Sequence, residues 1–145
     1  MTRSAIVAHG AGELYALVDD IEAYPKFLPW CVAAEFHERS PDGASLATLT
    51  LGVRSLRQSL TTRNVHRPGE AIEMRLEQGP FRSFSASWRF TPLGSSACKI
   101  EFAIAYEFAS RAVAKLLEPV FERIADTMVD AFKRRADEIY GRGDG

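Results

Sequence analysis

A chain of 145 residues with 46% hydrophobic and 26% charged side chains suits one globular domain with a substantial core. Its formal net charge of -1 sets aside a general polyanion binder, so any contact with nucleic acid must come from a local patch. Cys31 and Cys98 have no C-x-x-C spacing and no histidine cluster beside them, which argues against structural zinc and for two reduced thiols.

Met1 to His9 carries one basic residue and no long apolar run, and does not read as a signal peptide. No apolar run approaches the ~20 residues of a membrane span. The expected location is the cytoplasm, with peripheral contact at the inner face of a membrane the nearest approach to lipid. Ala5 to Ala8 predicts a short strand. Glu13 to Glu22 has helical spacing, with Leu14, Leu17, Val18 and Ile21 on one stripe and Gly10 and Gly12 as weak caps. Asp19, Asp20 and Glu22 near its end read as solvated carboxylates. Pro25 and Pro29 confine the next segment to a turn or a very short helix.

From there to Phe108 the period is two. Val32, Ala34 and Phe36 alternate with polar neighbours, and Leu46–Val53 and Leu56–His66 predict two further strands around Gly52. Pro41-Asp42-Gly43 and Pro68-Gly69 are turns. Ile72, Met74 and Leu76 then alternate with Glu73, Arg75 and Glu77. Phe84, Ala86, Trp88 and Phe90 alternate with serines and Arg89. Cys98, Ile100, Phe102, Ile104, Tyr106 and Phe108 form the last apolar row. Such alternation makes an antiparallel sheet with one apolar face. Ser110 predicts an N-cap, and a helix reaches from there to Tyr140, about 45 Å at the α-helical rise. Its stripe is Val113, Leu116, Leu117, Val120, Phe121, Ile124, Met128, Ala131, Phe132 and Ile139, with Pro119 predicting a kink or a short preceding helix. The fold class expected is α+β, a curved antiparallel sheet wrapped on a long C-terminal helix, one domain over residues 1–141 with 142–145 as a loose tail.

The inward aromatics read either as packed core or as the lining of an apolar cavity. The outward face carries Arg57, Arg63, Arg75 and Arg89 among glutamates, either a ladder of opposite charges or an arginine patch for phosphates. His9, His37 and His66 are scattered and read as surface or turn residues. No metal motif, nucleotide loop or nucleophile–base pair is visible, and inward strand positions read as almost wholly apolar.

Tyr24-Pro25-Lys26-Phe27-Leu28-Pro29-Trp30-Cys31 resembles the signature after the first helix of the bacterial ribosome-association toxin family, the same as or a close sister of the mitochondrial coenzyme-Q-binding START-domain proteins. Leu60-Thr61-Thr62-Arg63-Asn64, Gly79-Pro80-Phe81-Arg82, Trp88-Arg89-Phe90-Thr91-Pro92-Leu93, Cys98-Lys99-Ile100-Glu101-Phe102, Val120-Phe121 and Met128-Val129-Asp130-Ala131-Phe132 extend the resemblance over nearly the whole chain. It implies a helix-grip fold (START/Bet v 1-like, with polyketide cyclases in the wider superfamily) around a hydrophobic cavity. Trp30 and the His9-Gly10-Ala11-Gly12 start depart from some relatives.

The implied function is non-catalytic binding of ubiquinone or a related isoprenoid lipid in support of respiration, by a monomer that requires no cofactor. The tail would lie along Val120, Phe121, Ile124 and Met128 against Met74, Leu76, Phe84, Trp88, Phe102 and Ile104, with the ring head near Phe27 or Trp30. On this reading Trp88→Arg abolishes binding. The alternative is a toxin that binds the large ribosomal subunit and blocks subunit joining, with Arg57, Arg63, Arg75 or Arg82 on RNA phosphates. A cyclase would need polar groups converging inside the cavity.

Overall fold

The computed structural model describes residues 1–53 and 56–141; the expected tail at 142–145 lies outside the described residues. In chain order the elements are β1 (Thr2–Val7), α1 (Ala11–Asp19), a 3-10 helix (Ile21–Lys26), β2 (Cys31–Arg39), β3 (Ser45–Val53), β4 (Leu56–Arg67), β5 (Ala71–Gln78), β6 (Phe81–Pro92), β7 (Cys98–Phe108) and α2 (Arg111–Tyr140). The strands form one seven-stranded sheet in the order β1-β7-β6-β5-β4-β3-β2, antiparallel throughout. Successive hairpins lay each strand beside the one before it. Only β1 crosses over, to pair with β7.

The sheet is bent by shifts of register whose extra residues are Val32 and His37 on β2, Glu77 on β5 opposite Thr61/Thr62, and Arg82 on β6. An extra residue on one strand sharpens its local twist and bends it. Two tight turns use positive φ where a side chain would be strained, +89° at Gly43 and +76° at Gly69.

The apolar face of the sheet packs on α2, whose buried residues include Leu117, Phe121, Ile124, Met128 and Phe132. Phe132 stands edge-on to Trp88 (5.1 Å between centroids), Tyr24 (5.4 Å) and Phe27 (5.1 Å). Trp88 in turn rests on Phe102 at 4.9 Å. Ser110 caps α2 by accepting from the Val113 amide. At α1 the Glu13 carboxylate reaches back to the Gly10 amide at 3.1 Å, so a glycine start still receives one half of a capping box.

Several expectations are corrected. The first helix stops at Asp19, and Ile21 and Glu22 belong to the 3-10 turn. Pro119 neither breaks α2 nor precedes it: the helix is continuous from Arg111 to Tyr140. Pro119 is exposed, and the carbonyl it leaves without a donor belongs to exposed Lys115, where solvent can replace the lost bond. Leu116 and Ile139 fall outside the stripe and are 60% and 50% exposed. Phe36 and Val32 on the edge strand β2 are half-exposed because no further strand covers them.

Phe132→Ala should destabilise the protein by about 3–5 kcal/mol, the cost of emptying a large core site. Leu116→Ser should change stability by no more than about 0.5 kcal/mol. Urea unfolding of both variants checks this, and similar losses from the two would show that the core is elsewhere.

Candidate ligand cavity and its polar end

Two small, partly open spaces lie between the sheet and the helices, one under α2 and one under α1. The first, about 50 Å³, is apolar and is lined by Trp30, Leu49, Leu51, Leu60, Thr62, Met74, Phe84, Ala86, Phe102, Ile104, Phe121, Ile124 and Met128. Eight of the twelve residues expected around a ligand are thus brought together: Trp30, Met74, Phe84, Phe102, Ile104, Phe121, Ile124 and Met128. The other four are not in this lining. Trp88, only 1% exposed, is held between Phe90, Phe102 and Phe132 as core. An arginine there would charge the core, so Trp88→Arg tests folding and not binding. Phe27 sits behind Phe132, under the Arg135 guanidinium at 5.1 Å. Val120 borders a separate crevice beside Leu51, Gly52 and Leu117. Leu76 packs at the core's margin, near Gly79. Sequence reading missed Leu49, Leu51 and Leu60, whose alternation on β3 and β4 marks the same inner face, and also Thr62 and Ala86.

The second space, about 20 Å³, lies toward α1 and is bordered by Val18, Asp19, Ile21, Tyr24, Phe36, Ser45, Asn64, His66, Ile72 and Met74. It is the polar end of the interior. Alternation along β4 carries Leu60, Thr62, Asn64 and His66 on one face, so the inward positions are not wholly apolar as expected. Thr62 Oγ1 donates to Asn64 Oδ1 at 2.7 Å. His66 Nε2 lies 2.7 Å from Ser45 Oγ, and its Nδ1 lies 3.3 Å from the Tyr15 hydroxyl and 3.4 Å from Asp19 Oδ1. The arrangement that satisfies every partner keeps the imidazole proton on Nδ1 and lets Nε2 accept from Ser45.

Two further expectations change here. His66, with a side chain 6% exposed, and His9, bound to Asp137 at 2.8 Å, are interior residues, while His37 lies at the surface on Thr48. A serine–imidazole pair also exists, although Ser45 and His66 stand 21 positions apart and only the β3–β4 pairing joins them. With Asp19 the order is that of a hydrolytic triad, but the Asp19 contact is long. Ser45 also opens β3 paired with Asn64 in the sheet ladder, and is not raised on a sharp strand-to-helix turn.

A wider depression of about 430 Å³ lies on the outer face of the sheet, over Ser85, Ser87, Ala103 and Ala105 between Glu73 and Arg75. It is shallow and open. On the same face Arg63 pairs with Glu77 at 2.9 Å and Arg82 with Glu107 at 3.1 Å. These two arginines belong to a ladder of opposite charges and not to a bare cationic patch. Cys31 and Cys98 are both free and buried; burial pushes the Cys31 thiol up to about 11 and raises that of Cys98, so neither is a reactive thiolate at neutral pH.

A sheet gripping one long helix around an interior cavity is an arrangement shared with known proteins. Residues 7–133 match the model of the family described as polyketide cyclase / dehydrase and lipid transport. The chain belongs to that family. It is 45% identical over 139 residues to the ribosome association toxin RatA of Pseudomonas aeruginosa, covering 96% of each chain. It is 29% identical over 136 residues to the mitochondrial coenzyme Q-binding protein COQ10 of Dictyostelium discoideum, covering 89% of this chain and 64% of that one. Among solved structures, an 18 kDa protein of Caulobacter crescentus superposes with a TM-score of 0.76 at 29% identity, covering 97% of each chain. The Zhui aromatase/cyclase of a Streptomyces species reaches a TM-score of 0.81 at 20% identity, covering 94% of this chain and 92% of that one, a likeness of fold alone. The helix-grip architecture expected from the sequence is therefore the one the family members share. No helix among the described residues is long and apolar enough to cross a membrane.

Burial holds the His66 imidazole below its ordinary range; the Asp19 carboxylate opposes this and Arg39 adds to it, with the neutral Tyr15 hydroxyl facing the same ring. The unfolded chain then takes up a proton that the folded chain resists. Stability is full above the usual histidine value of 6.5 and is lost as pH falls below it. The urea midpoint should drop on acidification from about pH 7.5 to about pH 5.5, and drop less in His66→Gln. An equal drop in both proteins would rule His66 out as the source.

Proposed function

We propose that this protein is a non-catalytic binding protein for an apolar small molecule, with an isoprenoid quinone such as ubiquinone as the ligand class best supported. The observation that carries this reading is the apolar cavity between α2 and the sheet, floored by Leu49, Leu60 and Met74 and roofed by Phe121, Ile124 and Met128. The name of the Dictyostelium relative supports the quinone. At about 50 Å³ the cavity is well below the roughly 300–1,000 Å³ of a pocket that encloses a drug-sized ligand. Uptake thus requires α2 and the sheet to part and the flexible side chains of Met74 and Met128 to move aside. Each buried methylene of a tail contributes about 0.8 kcal/mol, so a few isoprene units offset the ordering cost. Exchange with a membrane would be peripheral.

A second reading, association with the large ribosomal subunit, is supported by the 45% identity to the Pseudomonas ribosome association toxin. Contacts through Arg63 or Arg82 would have to displace Glu77 or Glu107, and Arg57 and Arg75 would add to them. The two readings use different faces of the molecule and are compatible.

Decylubiquinone should bind the purified protein, and Ala86→Leu, which fills the cavity from β6, should weaken binding at least tenfold without lowering the melting temperature. Quinone binding unchanged by Ala86→Leu would place the ligand elsewhere. Sedimentation with large ribosomal subunits tests the second reading: association that weakens steeply between about 50 and 200 mM salt is the outcome expected of phosphate contacts. No co-sedimentation at low salt would remove it.

A further inference from the structure

The two interior spaces differ in chemistry but share a wall. Met74 is the residue common to both linings. In the β4–β5 register it stands opposite Asn64, so both side chains rise side by side from the inner face of the sheet. Thr62 borders the apolar space, Asn64 borders the polar one, and the hydrogen bond between them crosses the divide.

Asn64 is 5% exposed. Its Oδ1 is taken by Thr62, and its amide nitrogen has no protein acceptor among the described residues. Yet no buried side-chain nitrogen or oxygen among the described residues lacks a partner, so that nitrogen must keep access to the space it borders. A donor held on a nine-tenths buried residue and facing a cavity calls for an acceptor. His66, Ser45 and Tyr15 satisfy one another close by and hold this end polar.

We propose that the two spaces are one ligand channel interrupted by Met74, and that its polar end is a head-group subsite in which the Asn64 amide donates to a carbonyl oxygen of the ligand. Methionine has three rotatable bonds and no branch, so it closes the channel when the ligand is absent and swings aside at little cost. Along β4 the combined lining runs from Leu60 to His66, about 20 Å at the strand rise. The ligand class is an amphipathic molecule with a carbonyl-bearing head directed toward α1 and an apolar body reaching toward Phe84 and Phe121. The head then sits beneath α1 and the 3-10 helix, and not at Phe27 or Trp30. This inference rests on the hydrophobic-ligand reading above.

The test uses the full chain and two probes with the same tail, decylubiquinone, which has carbonyls, and decylbenzene, which has none. Binding is read by equilibrium dialysis and extraction. Asn64→Leu should weaken decylubiquinone about tenfold, the loss of one buried hydrogen bond, and leave decylbenzene within about twofold. Asn64→Asp keeps the shape and the acceptor for Thr62 while removing the donor, and should show the same selective loss if Asn64→Leu folds poorly. Met74→Ala should tighten both probes and Met74→Phe should weaken both. Equal effects of the Asn64 variants on the two probes, or no effect on either, would overturn the subsite. Met74→Ala and Met74→Phe acting alike would overturn the interrupted channel. Failure of the unaltered protein to bind either probe would instead overturn the hydrophobic-ligand reading itself.

Discussion

The contact between the α2 stripe and the concave face of the sheet is the constraint from which the rest of the structure follows. One helix has only one face to offer, and that face must cover seven strands. Near its C-terminal half the match is close: Phe132 fills the angle between Trp88, Tyr24 and Phe27. Around Phe121, Ile124 and Met128 the sheet bends away and the apolar space remains. Packing and emptiness are thus two ends of one interface. The bulges on β2, β5 and β6 bend the sheet that frames both.

Much of this was legible in the chain. Strict alternation in β5, β6 and β7 dictated their inner faces, and the spacing of Leu117, Phe121, Ile124, Met128 and Phe132 dictated the helix face that meets them. The division of that apolar surface into lining and core was not legible, because Phe84 and Trp88 occupy equivalent positions on one strand. Only the path of α2 makes the first a wall of the cavity and the second part of the core. The polar end was legible in principle, since Thr62, Asn64 and His66 continue the parity of Leu60. Reading strands by hydrophobicity, and not by parity, hides a polar row that points inward. The contact of Ser45 with His66 depends on β3–β4 register, which alternation alone does not set.

The interior polar groups also explain how a mostly apolar cavity tolerates them. Burying a hydroxyl or an amide without a partner is costly, and here Ser45, His66, Tyr15, Thr62 and Asn64 bind one another. The group is nearly self-sufficient, and it stands beside the same strand that supplies Leu60 to the apolar wall. Apolar and polar side chains therefore follow one another along the inner row of a single strand, and the Asp19 carboxylate of α1 borders the polar end.

The far end of α2 is clasped. His9 reaches Asp137, and the Tyr140 hydroxyl donates to the Glu13 carbonyl, so the last turns of the helix are tied to the β1–α1 connection and to the first turn of α1. The other end carries Pro119, where the helix lacks one of its own hydrogen bonds. A helix anchored at one end and softened toward the other swings like a door on a fixed post. The cavity sits on the swinging side of that post. Under the proposed binding role a guest would enter and leave past the first turns of α2, the end of the helix next to Phe121 and Ile124.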